Sequence, residues 1–138
     1  MIHLISAINW LGVLVAFFAY SFLGAFWYMF LFKKQYAISL GREIDAPQKP
    51  APLFIIGPMI CSLIVTITSA ILISALGIDS YGKAIEFTLI AGGGYLFTNT
   101  VNIGINPNIP KPGLYGAISG TCQLLGIFIV SIIIVAMN

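Results

Sequence analysis

INWLGVLVAFFAYSFLGAFWYMFLF, residues 8–32, holds no charged side chain. At about 1.5 Å per residue, about 25 helical residues exceed the roughly 30 Å of a hydrocarbon core. Trp10 stands near one end of the stretch and Trp27 and Tyr28 near the other. Amphipathic rings favour the headgroup layer, so these three are expected interface anchors. Asn9 joins them, because an Asn just ahead of a helix is a favoured N-cap. The stretch therefore predicts a membrane-crossing helix over residues 7–32.

Three further stretches repeat its length: residues 53–76, 84–105 and 113–137. Together they predict an all-α integral membrane protein, an antiparallel bundle of four transmembrane helices forming one domain over residues 1–138. Composition agrees. Hydrophobic residues make up 59% of the chain and charged ones 7%, with a mean hydropathy of +1.04. Soluble domains carry about a quarter charged residues, so the expected partner of most of this surface is the lipid bilayer. A net charge of +2 on scattered lysines is too small to suggest nucleic acid, so none is expected as a partner. The first residues lack a basic region and a small-residue cleavage site, so the first helix is expected to serve as its own insertion signal.

The connections set the orientation. After Phe32 the chain reads KKQYAISLGREIDAPQKPAP, with Gly41 a candidate helix stop and Pro47, Pro50 and Pro52 keeping the linker extended. This loop carries Lys33, Lys34, Arg42 and Lys49, and the loop between the third and fourth stretches carries Lys111. The opposite turn holds only Lys83. Basic loops stay in the cytoplasm, which predicts a multi-pass protein of a bacterial inner membrane with both termini outside.

Small and polar residues inside the spans carry the remaining information. Gly116 and Gly120 form a G-x-x-x-G pair, and Gly92, Gly93 and Gly94 interrupt the third span. Small residues let helix backbones approach in lipid, so these five read as helix-packing positions, with a homodimer seam or a hinge as other uses. In the second span Ser62, Thr66 and Ser69 share a stripe that suggests a face turned to other helices. Asn99 and Asn102, spaced i and i+3, fall on the α-helical stripe of Gly92 and Tyr95. Gln123 lies on the glycine stripe of the fourth span, with Ser119 one turn earlier. Unpaired amides in hydrocarbon are costly, so Asn99, Asn102, Ser119 and Gln123 are expected to meet inside the bundle, as packing bonds or as a ligand lining. Glu86 is the one carboxylate inside a span; close to the helix start, it is expected to pair with Lys83 or serve a proton path. The aliphatic run Ile127–Val135 is expected to face lipid.

Catalytic chemistry finds little to work with. The single histidine is His3, and Cys61 and Cys122 lie apart in apolar surroundings. No metal-ligand spacing, phosphate loop or nucleophile-base pair is visible, so neither an enzyme nor a cofactor is expected.

Ile8-Asn9-Trp10-Leu11, then Gly24-Ala25-Phe26-Trp27-Tyr28, then Phe32-Lys33 resemble the first helix of the bacterial membrane family catalogued as domain of unknown function 1761. Ile118 to Gly126, ISGTCQLLG, resembles a segment of that family's fourth helix. Gln123 matches there, while Ser119 and Cys122 stand where an acid and an aromatic are usual. The resemblance implies a four-helix membrane protein and no known activity. Two functions stay open: a non-catalytic module packing as a homo-oligomer or accessory subunit, and a small transporter or channel with a polar path between helices three and four.

Overall fold

A computed structural model describes residues 2–44 and 51–138. Pro47, Lys49 and Pro50 of the expected linker lie outside the described residues. Among the described residues every regular element is helical. A short 3-10 turn, Ile2–Ser6, precedes α1, Trp10–Phe26, which runs on into a wide π turn, Trp27–Leu31. A short α2, Lys33–Ser39, follows, then α3, Leu53–Ala75. The third rod is composite: α4, Tyr81–Phe87, a π stretch, Thr88–Phe97, and α5, Thr98–Gly104. The last element is α6, Pro112–Met137.

Local chemistry places these ends. Asn9 caps α1, its Oδ1 accepting from the amides of Leu11 and Gly12 at 3.1 Å each. Its Nδ2 donates to the Met137 carbonyl at 2.6 Å, tying the start of α1 to the end of α6. The helix stop at Gly41 is there: φ is +66°, and the Arg42 amide reaches back to the Ala37 carbonyl at 3.0 Å. Gly77 ends α3 the same way, with φ +62° and Ile78 reaching Ile73 at 3.0 Å.

Three rods are long and apolar enough to cross a membrane: Trp10–Leu31, Leu53–Ala75 and Pro112–Met137. The composite rod over 81–104 is less apolar, because it carries Lys83, Glu86, five glycines and two asparagines. Half of the most apolar window of α6 is buried, against 22% for α1 with its π turn and 17% for α3. The last helix is therefore the hub. It runs antiparallel to α1, with Gly12 beside Met137 at one end and Trp27 bonded to Ile118 at the other. It runs antiparallel to the composite rod too, with Gly92 against Ile127 and Gly104 against Tyr115.

That arrangement corrects the expected exposure of the aliphatic run. Ile127, Val130 and Ile134 are buried in one cluster with Val13, Ala16, Tyr20, Ala70, Ile73 and Phe87, and Ser131 is buried too. Aliphatic side chains suit lipid and a helix interface equally, so hydropathy alone does not say which they meet.

The glycines divide by what a Cβ would touch. At Gly120 it would sit 2.7 Å from the Phe97 ring, at Gly116 3.1 Å from Val101 and at Gly92 3.0 Å from Leu124. These three are packing positions. Gly93 and Gly94 face open space and are not. Gly126, which the G-x-x-x-G pattern passes over, receives the Tyr20 ring, and a Cβ on Gly104 would meet Tyr115 at 2.8 Å. Gly126→Ala is expected to lower the thermal unfolding temperature in mild detergent, at an overpacking cost of about 1–3 kcal/mol. Gly93→Ala and Gly94→Ala should leave it unchanged or raise it, by at most about 1 kcal/mol. Equal losses in all three variants would contradict the packing described.

Candidate functional site: the α1–α6 seam and the outer face of the composite rod

A line of polar side chains runs through the seam between α1 and α6. The Tyr20 hydroxyl donates to Gln123 Oε1. Lower down, Trp27 Nε1 donates to the Ile118 carbonyl at 3.1 Å. On the α3 side, the hydroxyls of Ser21 and Ser62 meet at 3.2 Å. Ser62 continues the expected stripe on α3, where Thr66 and Ser69 are buried. Gln123 thus finds a phenol, not an asparagine. A phenol in the middle of an apolar run wants a partner, and that was the signal for Tyr20 in the sequence.

Ser119 is the odd member. Buried hydroxyls in a membrane helix commonly bond the carbonyl four residues earlier. Thr66, Ser69, Thr88, Thr100 and Ser131 all do so, at 2.7–2.9 Å. Ser119 Oγ is 3% exposed as a residue and has no hydrogen-bond partner among the described residues. It turns instead toward the π turn of α1, where Tyr28 stands next to both Ser119 and Cys122, without a bond of good geometry.

The π turn explains why Trp27 and Tyr28 face inward. Trp27 is 8% exposed and packs on Phe32 with ring centroids 4.6 Å apart, so it is a core residue and not an interface anchor. Tyr28 is half-buried against Tyr36, at 4.7 Å. Trp10, at 47% exposure, does point outward as an anchor would. Asn9 is a cap and a tie to α6, as described above.

Asn99 and Asn102 are not in the seam. Both are exposed on the outer face of the composite rod, with Tyr95 and Thr98, while Gly92 is buried. The reason is the π stretch. Its i→i+5 bonds take more residues per turn than an α-helix, so a position seven residues beyond Gly92 no longer shares its face. Just past that stretch Thr98 Oγ1 donates back to the Gly93 carbonyl within it at 2.9 Å. Glu86 is also exposed, and Lys83 pairs with Asp79 at 2.9 Å instead. That lysine holds the Asp79 carboxyl below its ordinary range. The expected polar lining is therefore divided: Ser119 and Gln123 in the seam, Asn99 and Asn102 outside, Glu86 at the far end of the rod.

The family model described as "Protein of unknown function (DUF1761)" matches residues 11–135. The chain belongs to this family. The DUF1761 match begins in the first turn of α1 and ends in the last turns of α6, so the bonds of Tyr20 with Gln123 and of Trp27 with Ile118 lie inside it. No curated protein and no solved structure matches the chain.

The seam offers hydroxyls, an amide, an indole and a thiol. Two isosteric deletions separate its bonds. Tyr20→Phe, which leaves Gln123 Oε1 unpaired, should cost about 0.5–1.5 kcal/mol of unfolding stability. Ser119→Ala loses no hydrogen bond and should be neutral or stabilising. Both are read by thermal or denaturant unfolding in one detergent, and the opposite ranking would refute the assignment.

Proposed function

We propose that the protein is a non-catalytic membrane module that works by lateral assembly, as a homo-oligomer or as an accessory subunit of a larger membrane complex. In this reading the composite rod over 81–104 is a fourth crossing. The molecule is then an antiparallel four-helix bundle of a bacterial inner membrane, with both termini outside. The basic residues support that orientation: Lys111 lies at the same end as Lys33, Lys34 and Arg42, since its amide donates to the Ser39 carbonyl at 3.3 Å.

The observation that carries the assembly reading is the outward placement of Asn99 and Asn102. Amides on the lipid side of a helix favour association, because a neighbouring helix supplies partners that acyl chains lack. An Asn donates and accepts at once, so the same face can pair with a second copy or with another subunit's polar side chain. The transporter reading needs Asn99, Asn102 and Gln123 to share one interior path, and their division between seam and surface weighs against it.

In a background lacking Cys61 and Cys122, Asn102→Cys should form a disulfide or bifunctional cross-link to a second chain in native membranes. Asn99→Leu combined with Asn102→Leu should reduce the assembled fraction in mild detergent several-fold. A protein that stays monomeric in both environments, with Asn102→Cys capturing nothing, would overturn the reading.

A further inference from the structure

The sequence separates Arg42 from Lys111, and the fold brings them to one place. Besides the bond from Lys111 to Ser39, the Pro110 ring sits on Gly41, where a Cβ would meet it at 3.0 Å. The Tyr36 and Tyr115 rings lie 6.0 Å apart beneath this junction. Burial raises the Tyr36 hydroxyl above its ordinary value, with Tyr115 adding to the rise and the nearby Arg42 guanidinium opposing it. Tyr36 therefore remains a hydrogen-bond donor at neutral pH.

Lys33, Lys34, Arg42 and Lys111 are all exposed at this end. Glu43 is the described acid here, also exposed, so among the described residues four cations stand with one carboxylate. Lys83 pairs with Asp79 at the opposite end of the composite rod, away from these four cations. Arg42 and Lys111, whose segments these backbone contacts hold together beside two phenols, suit a phosphodiester. A guanidinium presents a fork to two phosphate oxygens and an ammonium supplies a point charge. Juxtamembrane basic clusters of this kind attract anionic lipids.

We propose that the junction of α2 with the start of α6 binds the headgroup of an anionic phospholipid, with Arg42 and Lys111 on the phosphodiester and Lys33 and Lys34 on neighbouring headgroups. The lipid, and not free phosphate, is the favoured source because the site lies where the α1 and α6 rods leave the apolar layer.

The full chain in mild detergent is titrated with phosphatidylglycerol, with phosphatidylcholine and with inorganic phosphate, and read by native mass spectrometry and by unfolding temperature. Phosphatidylglycerol should bind and raise the unfolding temperature, and the other two should not. Arg42→Gln with Lys111→Gln should weaken that binding by about tenfold or more. Arg42→Lys with Lys111→Arg should retain it, and Lys83→Gln should leave it unchanged. Because Lys111 holds the junction through its backbone amide, its side-chain replacement leaves the helices in place, which circular dichroism checks. Equal binding of the two phospholipids, equal stabilisation by inorganic phosphate, or undiminished binding by the Arg42→Gln and Lys111→Gln protein would each overturn the proposal.

Discussion

In lipid an apolar side chain gains nothing by leaving its solvent, so helices are held by contact at short range. Here that contact is made by rings and branched side chains laid onto bare backbone. Tyr20 lies on Gly126, Phe97 on Gly120 and Val101 on Gly116, all three glycines belonging to α6. Tyr115 and Leu124 of α6 lie in turn on Gly104 and Gly92 of the composite rod. Between α6 and the composite rod the exchange runs both ways. It explains why the most hydrophobic helix is also the most enclosed: it is the surface on which the other rods are assembled.

The polar groups follow from that geometry. With α1 pressed on α6, Tyr20 reaches Gln123, Trp27 reaches the Ile118 carbonyl and Asn9 reaches Met137. Each bond is modest, about 0.6 kcal/mol on average for such interhelical contacts. Their effect is to fix the register, since a slide of one turn would separate all three pairs. Ser119 is left over within this register, pointing at the one place where α1 widens into a π turn.

The sequence made the rods and two of the helix ends legible, because length, apolarity and the residues Asn9 and Gly41 act locally. The glycine pair Gly116 and Gly120 was legible for the same reason. What was not legible depended on helical phase. A period of 3.6 carried past Gly92 puts Asn99 on the inner face, and the π stretch over 88–97 moves it outside. Trp27 likewise reads as an interface ring by its position near the end of a span, yet the π turn and the Ile118 carbonyl draw it in. The run from Ile127 to Val135 was ambiguous in principle, since lipid tails and neighbouring helices make the same demand on a side chain. No pattern of small residues marked Gly126, whose partner Tyr20 lies more than a hundred positions away.

Cysteine pairs test the α6 hub most directly, because a Cβ at Gly12 would lie 3.4 Å from the Met137 Cβ and one at Gly92 3.4 Å from the Ile127 Cβ. Both separations are close to the mean of about 3.8 Å found in disulfides. In a chain without Cys61 and Cys122, Gly12→Cys with Met137→Cys, and separately Gly92→Cys with Ile127→Cys, should each close an intramolecular disulfide in membranes under mild oxidation. Gly94→Cys with Ile127→Cys should not. Failure of both close pairs to cross-link, or cross-linking of the distant pair as readily, would mean that α6 is not where the rods meet.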